Sequence, residues 1–149
     1  MSPEPSSGLS RTEIEKAVKD YWRTFTSSER HEKEQEGYYA ETASVFASTS
    51  KRLEPARLVL MRRQREYLAP GTKVEVEIGV IEVEMLCPDS AIAAYVMRLD
   101  AEQIATFTAT GQKVSEEHLE HARVTHVFRR HEDGRLRIVH EHISVPDLK

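Results

Sequence analysis

EHARVTHVFRRHEDGRLRIVHEHISVP, residues 120–146, is the stretch that decides the fold. Two runs of alternating apolar and polar residues flank Asp133-Gly134, a strong hairpin signal. In the first run Ala122, Val124, His126 and Phe128 alternate with Arg123, Thr125 and Val127. In the second, Leu136, Ile138, His140 and His142 alternate with Arg137, Val139, Glu141 and Ile143. Apolar residues on both faces predict a sheet covered on both sides, by the chain's own helices on one and by a partner chain on the other.

Upstream of this hairpin, Lys73 to Leu86 alternates in the same way but changes phase. Val74, Val76, Ile78 and Val80 alternate with Glu75, Glu77 and Gly79; then Ile81, Val83 and Met85 alternate with Glu82 and Glu84. A slip of one residue beside a glycine predicts a β-bulge and a bent strand. Cys87-Pro88-Asp89 reads as a turn, Ala91 to about Thr108 as a long strand, and Gly111 as a second turn. Ser115 to His121 is a polar lead into the hairpin.

The first half of the chain is helical in pattern. Ser10 and Glu13 form a capping box, with Leu9 and Ile14 spaced for a hydrophobic staple. Ile14, Ala17, Val18, Tyr21, Trp22 and Phe25 then recur at helical spacing to about Ser28. Glu29 to Gly37 is a charged run, read as a short solvated helix, and Tyr38-Tyr39-Ala40 packs inward after it. Ala43 to Ala47 reads as a short strand. Glu54-Pro55 starts a third helix, with Leu58, Met61, Arg65 and Leu68 on one side and Leu60 and Tyr67 near it. Arg62, Arg63 and Arg65 read as a solvated basic face, and Pro70-Gly71 ends the helix. Helices followed by consecutive hairpins predict an α+β domain with one antiparallel sheet.

With 149 residues the chain suffices for one domain with its own core, taken as residues 9–149 behind a flexible tail over residues 1–8. Hydrophobic residues at 39% and charged residues at 31% indicate a folded, water-soluble chain. The tail MSPEPSSG lacks the basic and apolar regions of a secretory signal, and no apolar run reaches membrane-span length. A net charge of -4 argues against a nucleic-acid partner. The lone Cys87 fits a reducing, cytoplasmic setting and reads as structural.

The Arg-x-Thr strand (Arg123, Thr125), the Asp-Gly turn and the last strand IVHEHISVP together resemble the nuclear transport factor 2-like superfamily, and within it the SnoaL-like branch. The order of elements extends the likeness over roughly residues 9–146. The resemblance implies a cone: a strongly bent antiparallel sheet wrapped around the N-terminal helix, with an internal pocket and, commonly, homodimers formed through the sheet. It also implies a pocket that holds a small, partly apolar ligand, with a carboxylic acid as one candidate class. Arg123, Thr125, Glu141, His142, Trp22, Tyr39 and Tyr95 are the candidate ligand-binding residues. A buried arginine needs a carboxylate or an anionic ligand beside it, so two readings stand for Arg123: it binds a small organic acid, or it pairs internally with Glu141 or the backbone. No cofactor is expected.

Two relatives sharpen what chemistry is available. Ketosteroid isomerases carry an aspartate base in a stretch resembling Tyr39 to Ser48; the base position falls here on Ala47, which accepts no proton, and their hydrogen-bonding acid falls near Thr125 or His126. The isomerase mechanism is therefore unsupported, which leaves a histidine base with Tyr21 or Tyr39 as donor for an isomerase, cyclase or hydrolase. The association (hub) domain of calcium/calmodulin-dependent kinase carries arginines at positions matching Met97 and Ile143, so a hub-like acid pocket is not reproduced, and a homo-oligomeric association module without catalysis is the remaining reading. Most of the seven histidines lie between His118 and His142. His140 and His142 share one strand face, to which His126 on the adjacent strand could add a third metal ligand. The last strand of relatives carries the same histidines without a metal, and no metal is expected.

Overall fold

The computed structural model describes residues 9–26, 32–48, 51–67, 72–103 and 116–146. The tail over 1–8, Leu68, the helix end at Pro70-Gly71 and the turn at Gly111 lie outside the described residues. The elements run α1 (Arg11–Thr26), α2 (Glu32–Gly37), β1 (Tyr39–Phe46), β2 (Glu54–Pro55), α3 (Ala56–Tyr67), β3 (Thr72–Ile78), β4 (Glu82–Cys87), β5 (Ser90–Gln103), β6 (Glu116–Arg130) and β7 (Leu136–Ser144). One seven-stranded sheet has the order β2-β1-β7-β6-β5-β3, with β4 also paired to β5. It is curved and open, and α1 lies in its concavity. The fold is the α+β cone that the sequence implies.

Helix α1 starts where the capping box places it: the Glu13 amide donates to Ser10 Oγ at 3.1 Å. Its apolar stripe, Ile14, Val18, Tyr21, Trp22 and Phe25, is wholly buried. Fully burying side chains of this size is worth about 1.5–3 kcal/mol each, which fixes the helix to the sheet. Two contacts set its N-terminal end: Leu9 N donates to Pro88 O, and Arg130 Nη2 donates to both carboxylate oxygens of Glu13 at 2.7 Å.

The phase change at Gly79 is real and larger than a bulge. The strand divides into β3 and β4, which pair with successive parts of β5, while the Gly79 amide still donates to Val96 O at 2.9 Å. A Cβ at Gly79 would sit 3.3 Å from that same carbonyl, so the small residue permits the close approach. A second irregularity lies between the Met97–Ala122 and Leu99–Leu119 pairs. There His121 takes φ 54°, a left-handed conformation uncommon for a residue with a Cβ.

Two expectations are corrected. The sheet is not wholly antiparallel, because β1 runs parallel to β7; β1 joins the sheet through a long crossover and is free of the antiparallel constraint a hairpin imposes. Helix α3 begins after Pro55 and turns a different face inward. Ala56, Val59, Leu60 and Arg63 are buried, whereas Leu58 and Met61 are 44% and 53% exposed and Arg65 is exposed. Positions 56, 59, 60 and 63 also share one helical face, and that face carries the cation required by a carboxylate inside the fold.

Candidate functional site: a buried polar network under helix one

The hairpin works as the alternation predicts as far as Ile138, and then departs from it. Gly134, with φ 81°, closes the turn, and Asp133 accepts from the Arg135 amide at 3.0 Å and from Arg137 Nη2 at 2.7 Å. Phe128 pairs with Ile138, but Val127 pairs with His140, so Val139 is an extra residue in β7. This bulge reverses the phase of everything after it. Ile138 faces inward, and so do Glu141 and Ile143; His140 and His142 are turned to the other side of the sheet. On β6 the inward residues are Ala122, Val124, His126 and Phe128.

Glu141 thus arrives, with no solvent exposure, in the middle of the interior. It accepts from Arg63 Nη2 at 2.5 Å, from Tyr39 Oη at 2.9 Å and from His126 Nε2 at 2.7 Å. Arg63 Nη1 donates to Tyr21 Oη at 3.1 Å and Tyr39 Oη at 3.0 Å. The two phenols are 2.7 Å apart; since the Tyr39 proton goes to Glu141, Tyr21 is the donor between them. The guanidinium also lies 5.8 Å from the Trp22 ring centre, within cation–π range.

The electrostatics follow from this geometry. Burial pushes the Glu141 carboxyl up, but the Arg63 guanidinium and the His126 hydrogen bond outweigh it and hold the group well below the ordinary carboxylate range. Burial alone would lower Arg63; the facing carboxylate reverses that and keeps it charged. Tyr21 is pushed up to about 12, chiefly by burial, and burial raises Tyr39 and Tyr95 well above the usual phenol value. The tyrosines are therefore neutral hydroxyls at physiological pH. The Arg63–Glu141 charges compensate each other, as buried ions must.

One atom is left over. With Glu141 ionised, His126 Nε2 is the donor in their hydrogen bond, so in the neutral ring Nδ1 is a bare acceptor. Nδ1 is buried and has no hydrogen-bond partner among the described residues. The rings of Tyr21, Tyr95 and Phe128 stand edge-on to the imidazole at centroid distances of 6.1, 5.7 and 5.5 Å. Beside it, Trp22 Nε1 donates to Tyr95 Oη at 2.6 Å.

Of the residues singled out from sequence, Trp22, Tyr39, Tyr95 and Glu141 meet in this interior. Arg123, Thr125 and His142 do not: Arg123 and His142 are exposed and Thr125 is half-buried, all on the outer face. Strand alternation puts Arg123 and Thr125 opposite His126, and past the Val139 bulge it turns Glu141 inward and His142 outward. The partner of Glu141 is Arg63, one of the three arginines at 62, 63 and 65 read as solvated; of these, Arg62 and Arg65 are exposed. Arg62 forks onto Glu54 at 2.7 Å. The spacing of Arg63 from Val59 and Leu60 was the available signal. The histidine triad is divided by the sheet, with His126 inside and His140 and His142 outside. Among the described residues no group of His, Cys, Asp and Glu is placed to hold a metal ion, and no helix is long and apolar enough to cross a membrane.

The SnoaL-like domain family matches residues 14–147. The chain is a member of the SnoaL-like family. Comparison with curated proteins gives no match. Solved structures share the fold at low identity. A nuclear transport factor 2-like protein of unknown function from Pseudomonas putida is 16% identical, covering 93% of this chain and 88% of its own, with a TM-score of 0.66. The association domain of the C. elegans calcium/calmodulin-dependent kinase II is 15% identical over 91% and 95%, with a TM-score of 0.62. A protein from Catenulispora acidiphila in complex with S-DNPA is 11% identical over 91% and 95%, with a TM-score of 0.61. The SnoaL-like member described here keeps a charged network inside this shared frame.

Proposed function

We propose that this SnoaL-like protein binds a small, partly apolar molecule in its interior, between α1 and the sheet. The observation that carries the reading is the unpartnered Nδ1 of His126. A buried acceptor without a partner costs about 1–3 kcal/mol, and a core built only for packing would hold an apolar ring there. Trp22, Tyr39, Tyr95 and the Glu141–His126 pair are the residues that would meet the ligand. That a same-fold protein from Catenulispora acidiphila is found in complex with S-DNPA supports the use of this frame for small molecules.

Trp22 is the sole tryptophan and 2% exposed, so its emission reports on this region alone. The chain is titrated with methylcyclohexane, cyclohexanol and cyclohexanecarboxylate, which do not absorb in the tryptophan band, and its melting temperature is followed in parallel. Saturable change in Trp22 emission with at least one probe is expected. At a hundred times the dissociation constant, that probe adds about 2.7 kcal/mol of stability. Unchanged emission and melting temperature with all of them would overturn the reading.

A second reading is enzymatic and rests on the same pair. A carboxylate that fixes the tautomer of an imidazole and leaves the other nitrogen bare is the arrangement of a general base. An isomerase, cyclase or hydrolase acting on such a ligand would use His126 as the base, with the neutral Tyr hydroxyls as donors.

The outer face of the sheet supports a homodimer. Ala94, Thr125, His142 and Phe46 line up across β5, β6, β7 and β1, and Val96 beside them is 48% exposed. Sedimentation is expected to show a dimer that Val96→Asp converts to monomer; a monomeric wild type at micromolar concentration would remove this reading.

A further inference from the structure

Hydrogen-bond capacity in the interior can be counted donor by donor. Arg63 Nη1 and Nη2, Tyr39 O–H, Tyr21 O–H and His126 Nε2–H each donate to a partner, and Glu141 receives three of these bonds. Tyr95 is different. Its oxygen accepts from Trp22 Nε1, and no acceptor for its own proton is found among the described residues. His126 Nδ1, the acceptor of the neutral ring, is the complementary case, with no partner among the described residues. The two rings are neighbours, with centroids 5.7 Å apart. A donor and an acceptor without partners among the described residues therefore sit on neighbouring rings, with Trp22 against Tyr95 and Phe128 against His126.

A single group satisfies both: a hydroxyl, which accepts at its oxygen and donates through its proton. A carboxylate could accept from Tyr95, but it would set its charge against the Nδ1 lone pair and near the Glu141 carboxylate, with the facing positive charge of Arg63 already taken. An ammonium could donate to Nδ1 but offers nothing to Tyr95. An apolar ligand leaves both groups unsatisfied. We infer that the interior site selects a neutral alcohol-type ligand, whose hydroxyl receives the Tyr95 proton and donates its own to His126 Nδ1. This rests on the interior-binding reading above, and it favours an uncharged class over the carboxylic acid that was one candidate from sequence.

The test compares three probes of similar shape at neutral pH by isothermal titration and Trp22 emission: cyclohexanol, cyclohexanecarboxylate and methylcyclohexane. Cyclohexanol is expected to bind at least tenfold more tightly than either of the others. In Tyr95→Phe and in His126→Phe, its advantage over methylcyclohexane should fall severalfold. Tighter binding of cyclohexanecarboxylate would overturn the inference while leaving interior binding in place, and so would equal binding of all three. Absence of saturable binding by any probe would instead remove interior binding itself, and this inference with it. The wild-type comparison decides the matter even if a variant fails to fold.

Discussion

His140, Glu141 and His142 are consecutive, yet they belong to two different environments. Glu141 points into the concave face and is fully buried among Arg63, Tyr39 and His126. Its neighbours point to the convex face, where His140 Nδ1 meets Ser44 Oγ at 2.9 Å and both imidazoles pack on Phe46 at centroid distances of 6.1 and 5.8 Å. Inside, every charge needs a partner, because low polarity makes an isolated ion very costly. Outside, water can replace most partners, and the same residue types carry little energy. Burial, more than residue type, sets what each side chain of this tripeptide does.

The largest effect should separate the two faces directly. Glu141→Ala leaves Arg63 buried without its carboxylate and is expected to destabilise the fold by about 3–5 kcal/mol. His142→Ala and Arg62→Ala, on the solvated side, should each cost within about 1 kcal/mol. Urea unfolding of the three variants checks this. A His142→Ala cost close to that of Glu141→Ala would show the convex face to be as enclosed as the concave one.

A smaller effect appears in acid. The carboxyl of Glu141 is depressed in the folded chain, so its contribution is complete above the unfolded-state value of about 4.3 and is lost as pH falls below it. From about pH 4.5 to 3, one such group removes up to about 1.4 kcal/mol per pH unit. Asp133, lowered to about 2 mainly by its hydrogen bond from Arg137, adds an exposed and solvent-screened slope of the same sign. The difference between wild type and Glu141→Gln isolates the buried group: the variant should be less stable at neutral pH and flatter through this window. Parallel slopes would mean that the interior carboxylate is not the acid-sensitive element.

Much of the architecture was legible because it depends on local repetition. The capping box at Ser10, the apolar stripe of α1, the phase slip at Gly79 and the Asp133-Gly134 turn each need only neighbours in sequence to be read. The site was legible in part. Trp22, Tyr39, Tyr95 and Glu141 are among the residues marked from sequence, while Arg63 and the interior role of His126 were not, and Arg123, Thr125 and His142, also marked, lie on the outer face. Alternation gives two equally regular phases, so which face of β6 turns inward, and which of β7 past the extra Val139, is set only by packing, as is the inward face of α3.

The sequence by itself determined an α+β chain with a buried first helix, a sharply bent sheet and a last hairpin rich in histidine. Those features follow from periods of about 3.6 and 2 residues and from turn chemistry, which act over a few positions. Only the tertiary structure decided which ionisable groups meet. Arg63 and Glu141 are far apart in the chain, and each has an equally polar neighbour that stays in water. Their pairing exists because the folded sheet and α3 exclude solvent from the same point, where a lone charge could not be tolerated and a matched pair could.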